Sequence, residues 1–454
     1  MSHAAIYSRL FTLALAVLSD MQLVDHSAEG VQLFEMSPSC RARVLLQPFT
    51  RWDAAHLLKV SNTGWGGHEY QHAFFPGYPL FVRKIAQSLS DIGAMYLCQE
   101  ELLVLVAVVI SNVMFVVAAC CLERLGQHVL REKSLARAAA ILFCASPASP
   151  FFSTAYTEST FAAATFGGFL LLEIGYPWIS CFVLGLATFC RANGTIHTLT
   201  VACVLADRHN FFKVIRRRDS RHRHLIMAAL ARTVLQCTVI VAPYVVWQLA
   251  GYHRVCHGAL IRARGRTSED MNAETPTRIA YSSVTTLPLS WCEKPWPDLY
   301  SHVQRQYWGV SFLGYFEWRQ LPNFILAAPA ILMCTGSTVL SGADVLSGEA
   351  FGAKRMTFQR AHSYMLEWAA LSAGILFFGN VQTLTRLAGA ACPAFYWSMA
   401  CMADCDGNHG NLYKKHGETF SRWPKRWVRP LVYAYAGCFA VLGTILHSNF
   451  YPWT

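Results

Sequence analysis

The chain has 454 residues, of which 54% are hydrophobic and 14% are charged, and its formal net charge is +11. Soluble globular proteins carry about 25% charged residues, so this composition excludes a globular protein that covers itself with polar side chains. It predicts instead an all-α polytopic membrane protein with roughly eight to ten helices across the bilayer, because a spanning segment must satisfy its own backbone hydrogen bonds.

Apolar runs recur along the chain and predict a single polytopic membrane domain over residues 1–454. The first run, 6–24, has no clear cleavage site for a signal peptidase, and we interpret it as a retained span. The strongest span is 102–119, which is 18 residues long with only Ser111 and Asn112 polar. Further apolar runs lie at 138–152, 159–173, 178–206, 321–340, 363–379, 384–402 and 430–446, and another follows the 207–224 stretch and ends near residue 250.

Positive charge is concentrated in two stretches, at about 207–224 and 403–429. The positive-inside rule predicts that both are cytoplasmic loops. If the N-terminus also starts in the cytoplasm, two long polar stretches, about 25–101 and 251–320, share the opposite side. Neither basic stretch is surrounded by an aromatic platform or a nucleic-acid-binding module, so we expect membrane lipids as partners and no nucleic acid.

The first long polar stretch carries two candidate catalytic carboxylates, Asp53 and Glu69. An acid close to the membrane surface is accessible to water and to a lipid head group. Asp53 could therefore serve as a general base, with Glu69 as a helper or a hydrogen-bond acceptor for substrate. The alternative is a structural ion pair of Asp53 with Arg51 or with a later arginine.

Polar residues also interrupt the apolar runs, at Arg191, Asn193, Gln382 and Arg386. An unpaired charge in the bilayer centre costs at least about 2.5–3.5 kcal/mol, so such residues need a partner, a function or access to the interface. Asn193 begins a formal glycosylation sequon, which we expect to stay unmodified because it lies in or against the bilayer.

Cysteine and histidine patterns predict no metal site, and no cofactor is expected. Most of the 16 cysteines lie in apolar runs, where cysteine behaves as a small hydrophobe. Cys256 and Cys292 could pair in an oxidising compartment, which the sequence leaves open. One group of cysteines and histidines could be written as a zinc site but matches no common zinc-finger spacing: Cys401, Cys405, His409 and His416.

Three arginines lie close together in the second long polar stretch, at Arg262, Arg264 and Arg266. They could bind a phosphate of a lipid substrate, or they could be a solvated run of charge in a long loop, and the sequence leaves both interpretations open.

Several motifs appear in one order along nearly the whole chain and together resemble the GPI mannosyltransferase 2 family. They are DHSAE at 25–29, RWDAAH at 51–56, HAFFPGYP at 72–79, AYTES at 155–159, RANG at 191–194, QLPNFILAAP at 320–329, VQTLTR at 381–386 and HSNFYPWT at 447–454. The blocks at 320–329 and 447–454 are the most specific.

The resemblance implies a helical bundle like that of C-type glycosyltransferases, with the active site in luminal loops of a multi-pass protein of the endoplasmic reticulum. It implies transfer of the second mannose, through an α-1,6 bond, from dolichyl-phosphate-mannose to a mannosylated GPI precursor lipid. The donor is β-linked and the product α-linked, which implies inversion by a single displacement. Asp53 takes the role of the base, Glu69 falls where relatives also carry an acid, and a small accessory membrane subunit is compatible with the family.

The polar and aromatic residues of the motifs are the candidates for substrate binding. They are Arg51, Trp52, His56, His72, Arg191, Asn193, Gln320, Asn323, Gln382 and Arg386. Two other classes of protein stay open as alternatives. A lipid or solute transporter would also use intramembrane arginines, although the internal symmetry typical of transporters is not visible. A non-catalytic subunit of a mannosyltransferase complex would not need Asp53 and Glu69.

Overall fold

The computed structural model describes residues 1–26, 34–38, 40–66, 68–93, 97–209, 223–257, 291–292, 298–346, 352–403 and 425–453. All regular secondary structure in these ranges is helical. Several predictions fall outside the described residues. They concern Cys405, His409 and His416 of the candidate zinc group, the arginines at 262–266, and most of both basic stretches.

The first half of the chain forms ten α-helices. They are α1 (Ser2–Gln22), α2 (Arg43–Leu46), α3 (Asp53–Thr63), α4 (Gly77–Asp91), α5 (Gln99–Leu130), α6 (Lys133–Cys144), α7 (Ser149–Ser153), α8 (Glu158–Glu173), α9 (Pro177–Cys190) and α10 (His197–Arg208). Short 3₁₀ turns occupy Gln47–Thr50, Glu69–Ala73 and Ala192–Ile196.

Seven further α-helices follow in the described part of the second half. They are α11 (Arg223–Tyr252), α12 (Leu299–Trp308), α13 (Leu321–Leu346), α14 (Gly352–Phe378), α15 (Leu384–Ala391), α16 (Pro393–Ala403) and α17 (Lys425–Ser448). A π-helical turn at His253–His257 follows α11, and 3₁₀ turns at Trp318–Gln320 and Val381–Thr383 precede α13 and α15.

Five helical stretches in the described ranges are long and apolar enough to span a bilayer: Ser2–Gln22, Gln99–Leu130, His224–Cys256, Trp318–Val339 and Val428–Ser448. The predicted all-α membrane protein is therefore confirmed. The predicted eight to ten spans are not reached by this criterion. Several apolar runs instead form helices of 12 to 16 residues, such as α6, α8 and α9, which are shorter than the about 20 residues of a full span.

Helix α5 is the centre of the bundle. It packs against α1, α4, α6 and α8, and 61% of its most apolar window is buried, against 11% in α11. Phe115 of α5 stacks on Phe143 with ring centroids 4.5 Å apart, and Phe152 lies against both rings. Tightly packed aromatic side chains hold α5, α6 and α7 together. Ser111 and Asn112, in the first half of α5, donate hydrogen bonds to the backbone of Tyr156 and Ser153.

Helices α8, α9 and α10 run back and forth through the bundle. A tight turn at Gly175, whose φ of 99° favours glycine, joins α8 to α9, which starts with Pro177 at a position where proline is favoured. Arg208, in the last turn of α10, pairs with Glu173, in the last turn of α8, at 3.4 Å. Glu158 and Arg191 therefore lie together at the other end of these helices, here called the site end.

Two disulfides fasten the polar segments next to the site end. Cys256 and Cys292 are bonded, so the pairing that the sequence left open is present, and a second bond, between Cys40 and Cys98, was not predicted. Cys256 packs with Trp291, Leu299 and Val303 in a small hydrophobic core that is separate from the main one. This core fixes α12 against the Glu69–Ala73 turn, so the described parts of the two long polar stretches contact each other.

Candidate active site

Asp53 is the first residue of α3, and the residue before it is held in a strained conformation. Trp52 has φ 57° and ψ −130°, in a region that costs a non-glycine residue of order 1–3 kcal/mol. Its ring packs against Phe450 with centroids 5.9 Å apart, and the Asp53 amide donates a hydrogen bond to the Tyr156 hydroxyl at 3.1 Å. These contacts on both sides of the Trp52–Asp53 peptide hold the strained conformation in place.

The Asp53 carboxylate belongs to a chain of ion pairs. Arg386 Nη1 lies 3.0 Å from Asp53 Oδ2, and Arg386 Nε lies 2.5 Å from Glu158 Oε1. Arg191 Nη1 approaches the same Glu158 oxygen at 2.5 Å. Glu158 is fully buried, while each arginine keeps 14% of its side chain exposed. Two carboxylates and two guanidinium groups make the cluster neutral overall. This pairing offsets the free-energy cost of burying the two arginines.

The backbone around Arg191 is shaped to present its side chain. Arg191 leaves α9 in an extended conformation, and a 3₁₀ turn follows. Its guanidinium donates from Nη1 to the Thr157 hydroxyl at 2.8 Å and from Nε to Asn193 Oδ1 at 3.3 Å. The Asn193 amide nitrogen is buried, which supports the expectation that its sequon stays unmodified.

Arg386 is held in the first turns of α15 against two aromatic rings. Its guanidinium carbon lies 4.8 Å from the ring centroid of Phe151 and 5.1 Å from that of Tyr156. Cation–π contacts of this kind are stronger where water is excluded. Together with the two carboxylates they fix the guanidinium plane, so Arg386 is oriented before any substrate binds.

Asp53 is ionised and still accessible. Burial by itself would raise the pKa of Asp53, but the charge of Arg386 and its hydrogen bond outweigh that effect and leave the pKa below the usual range. The side chain is 38% exposed. Arg386 occupies Oδ2, and among the described residues no donor reaches Oδ1, so this oxygen can accept a proton from a bound hydroxyl.

Asp53 forms an ion pair and also keeps the exposure that a general base needs. The structural alternative paired Asp53 with Arg51 or a later arginine, and the later arginine is the partner. Arg51 instead pairs with Asp20 at 2.7 Å and Asp25 at 2.9 Å, and its guanidinium lies over the ring of Phe450. Arg51 thus links α1, through Asp20, to the C-terminal segment, through the Ser448 carbonyl and the Phe450 ring.

Glu158 is the main member of the cluster that the sequence analysis did not select. It lies in the 155–159 motif, at the first residue of α8, and it contacts both candidate arginines. Tyr156, two residues earlier, binds the Asp53 amide and lies 3.4 Å from His447. The available signal was a carboxylate directly preceding an apolar run, where an unpaired charge would be unfavourable.

Glu69 lies outside the ion-pair chain. Its carboxylate accepts a hydrogen bond from the Tyr307 hydroxyl at 3.0 Å and lies 3.6 Å from His302 Nε2. Within the described ranges it makes no contact with Asp53. The two predicted carboxylates therefore belong to different clusters. Asp53 lies among the ion pairs at the site end, and Glu69 lies where the two long polar stretches contact each other.

The two candidate histidines occupy aromatic surroundings. His56, one turn after Asp53, stacks on Phe74 at 4.9 Å and meets the edge of Tyr70 at 5.5 Å. His72 is 2% exposed and stacks on Trp247 at 4.5 Å. Burial, assisted by the positive charge of Arg254, lowers the pKa of His72 to about 3, so its ring is neutral at physiological pH.

Three of the four amide candidates, Gln320, Asn323 and Gln382, lie near the starts of α13 and α15. The Asn323 amide donates to Gln320 Oε1 at 2.7 Å and to the Tyr315 hydroxyl at 2.8 Å. Gln382 lies in the turn directly before α15, with its amide oxygen buried, and the Tyr315 hydroxyl lies next to both Gln382 and Asn323. Gln382 lies four residues before Arg386 in the sequence, and none of the three amides makes a described contact with Asp53.

The family model for mannosyltransferase (PIG-V) matches residues 1–454. The chain belongs to this family. Among curated relatives, GPI alpha-1,6-mannosyltransferase 2 from Cricetulus griseus is 29% identical and the match covers 99% of this chain and 97% of the relative. The Homo sapiens protein of the same name has the same identity and coverage, and GPI mannosyltransferase 2 of Drosophila melanogaster is 27% identical over 99% and 98%.

Among solved structures, the chain is similar to an archaeal oligosaccharyltransferase, AglB from Archaeoglobus fulgidus, with 14% identity and a TM-score of 0.49. The match covers 98% of this chain and 56% of that one. Membership of the mannosyltransferase family confirms the predicted enzyme class and the resemblance stated from the motifs. A transporter and a non-catalytic subunit are not favoured.

Proposed function

We propose that this protein is an inverting α-1,6-mannosyltransferase of the endoplasmic reticulum membrane that adds the second mannose to a GPI precursor. The names of the relatives support this acceptor and this linkage. One observation supports a reaction at this site: the Asp53 carboxylate has a pKa lowered by Arg386 and a side chain that is 38% exposed, and its Oδ1 accepts no hydrogen bond from the described residues.

The reaction is a single displacement at the anomeric carbon of dolichyl-phosphate-mannose. The 6-hydroxyl of the acceptor mannose attacks that carbon, its proton passes to Asp53 Oδ1, and the bond to the phosphate oxygen breaks. The electron pair leaves with dolichyl phosphate, and the anomeric configuration inverts from β to α. A sugar hydroxyl is too weak an acid to ionise at neutral pH, so a general base is needed as the new bond forms.

Arg191 and Arg386 are the proposed contacts for the leaving phosphate. Both guanidinium groups are part of the site, both are partly exposed, and guanidinium groups suit phosphate oxygens because they donate in a fixed fork. In this arrangement Glu158 orients the two arginines from the buried side. The residues near Gln382 and Asn323 would line the path of the lipid donor.

The donor is tested by supplying each form of mannose separately. We expect the purified protein to transfer mannose from dolichyl-phosphate-mannose in excess chelator, because neither long polar stretch, 25–101 or 251–320, carries a paired-carboxylate sequence motif of the kind that chelates a metal-bound nucleotide sugar. We expect no transfer from GDP-mannose. Transfer directly from GDP-mannose would overturn the proposed donor.

The acceptor and pathway are tested in cells that lack the second GPI mannosyltransferase. Expression of this chain should restore GPI-anchored proteins to the cell surface, whereas the Asp53→Asn variant should not, at equal protein abundance. A restored surface signal with Asp53→Asn would contradict the assigned base. The exposed apolar faces of α1 and α11 would contact lipid or a small accessory membrane subunit, which co-purification with the wild type would identify.

A further inference from the structure

Between Asp53 and Glu69 lies a closed circuit of five aromatic side chains, here called the aromatic collar. Its members are His56, Tyr70, Tyr307, Trp308 and Phe74. Successive centroids around the circuit are separated by 5.5, 5.6, 6.2, 6.2 and 4.9 Å. The collar joins three elements that are far apart in the sequence, namely α3, the segment around the Glu69–Ala73 turn, and the end of α12.

The collar is continuous with the proposed catalytic base on one side. His56 lies on α3 one turn after Asp53, and the two side chains interact electrostatically. Burial lowers the pKa of His56, and the neighbouring Asp53 only partly offsets this. The imidazole is therefore neutral at physiological pH, and it packs as a ring on Phe74.

On the other side the collar carries a carboxylate. Glu69 accepts a hydrogen bond from the Tyr307 hydroxyl at 3.0 Å and keeps 18% of its side chain exposed. Tyr307 itself is 47% exposed, whereas Trp291 in the small core is buried. A large aromatic side chain left exposed beside a carboxylate, in a segment fastened by the Cys256–Cys292 disulfide, is a rigid and amphipathic surface.

We propose that the aromatic collar and Glu69 form the subsite for the carbohydrate part of the acceptor. The C–H face of a pyranose ring is apolar and slightly positive, so it packs on the negative face of an aromatic ring, while its hydroxyls donate to a carboxylate. The collar holds a sugar beside Asp53, where the reacting hydroxyl must lie. This rests on the proposed function, and it assigns Glu69 to binding and not to proton transfer.

The test measures acceptor and donor separately on purified full-length protein. Tyr307→Ala and Tyr307→Leu remove the ring, and Leu retains bulk should the Ala variant fail to fold. We expect the KM for the mannosylated GPI precursor to rise about tenfold at saturating donor, with the KM for dolichyl-phosphate-mannose unchanged and kcat within about twofold. Glu69→Gln should show the same pattern with a smaller rise. Tyr176→Ala is the matched control, since Tyr176 is 55% exposed at the opposite end of the bundle.

An unchanged acceptor KM in both Tyr307→Leu and Glu69→Gln would overturn the subsite, as would a rise confined to the donor KM. The proposed function is judged by a different arm, the turnover of the wild type with the same two substrates. If the wild type does not turn over, equilibrium binding of the labelled mannosylated precursor without donor still tests the collar. Binding that Tyr307→Leu weakens supports the subsite, and binding that it leaves unchanged rejects it.

Discussion

At the scale of single residues, the role of Asp53 can be separated from that of a structural ion-pair partner. Asp53→Asn keeps the shape of the side chain and an oxygen for Arg386 but cannot take up the proton. General-base catalysis typically contributes about 10²–10⁴-fold, so kcat should fall by that factor. Donor affinity and protein abundance should stay near the wild-type values. The measurement is single-turnover transfer from dolichyl-phosphate-mannose by the purified variant.

Glu69→Gln is the comparison for that experiment, because the structure places Glu69 in the neighbouring cluster with Tyr307. We expect a smaller loss, confined to acceptor binding. If Asp53→Asn turns over near the wild-type rate while Glu69→Gln is inactive, the base is Glu69. If Asp53→Asn is merely scarce in the membrane but active per molecule, Asp53 is a structural partner of Arg386.

The pH dependence of kcat/KM reports the ionisation of Asp53 in the free enzyme. Because Arg386 holds the folded pKa of Asp53 below its usual range, activity should persist as pH falls through that range and decline only below it. Arg386→Gln removes the charge that lowers the pKa, while burial, which raises it, remains. The acid limb of the residual activity should therefore move to higher pH. An acid limb that does not move would contradict the pairing.

Glu158 is expected to matter for folding as well as for catalysis. Glu158→Gln leaves Arg191 and Arg386 with only Asp53 to balance them, and removing one partner of a buried ion pair typically costs about 3–5 kcal/mol. The thermal midpoint and the abundance of the variant should both fall. Glu173→Gln is the control on the same helix. Its ionic partner Arg208 is 34% exposed, and glutamine retains an oxygen to accept the hydrogen bond from the Tyr364 hydroxyl, so the loss should be smaller. Equal losses would show that the buried pairing is not formed.

The sequence pointed to much of this site but not to its pairing. Asp53, Arg191 and Arg386 were recognisable, because a carboxylate beside tryptophan and arginines inside apolar runs are unusual. Glu158 was missed, because one acid at the start of a helix is common and its partner Arg386 lies 228 residues further along the chain. A single sequence contains no information on which distant charges meet, and the packing of α8 against α9 and α15 decides it.

At the scale of elements, the turn after α9 depends on a close backbone approach. A Cβ on Gly194 would lie 2.6 Å from the backbone nitrogen of Thr188, which cannot move without breaking α9. Gly194→Ala should therefore displace Arg191 and lower both thermal stability and turnover, measured on the purified variant. Gly167→Ala in α8 is the control, since its nearest contact would be Cys121 Sγ at 3.8 Å. Wild-type behaviour of Gly194→Ala would show that the turn packs differently.

The elements themselves were only partly predictable. The apolar runs located α5, α11 and α17 well, because each is long and nearly free of charge. The run at 178–206 was less informative. It is divided at Arg191 into two short helices, α9 and α10, that reverse direction. Short, interrupted helices are stable here because neighbouring helices bury them, and that burial depends on contacts that hydrophobicity alone does not encode.

At the scale of the whole molecule, the site end and both disulfides should face the same compartment. Cys40–Cys98 and Cys256–Cys292 lie in the two polar stretches that meet through Glu69 and Tyr307. Disulfides persist in oxidising compartments such as the lumen of the endoplasmic reticulum and are rare in the cytosol. The positive-inside rule independently assigns the basic stretch after α10 to the cytoplasm. Two unrelated physical arguments thus predict the same orientation.

Single-cysteine labelling in sealed microsomes tests this orientation, in a parent whose reactive free cysteines are replaced by serine. Gly66→Cys lies three residues before Glu69 at a position where a side chain meets no neighbour, and Tyr176→Cys lies in the turn between α8 and α9. A membrane-impermeant maleimide should label Tyr176→Cys directly and Gly66→Cys only after detergent is added. Labelling of Gly66→Cys in intact vesicles would place Asp53 and the collar on the cytoplasmic side and contradict the predicted luminal site.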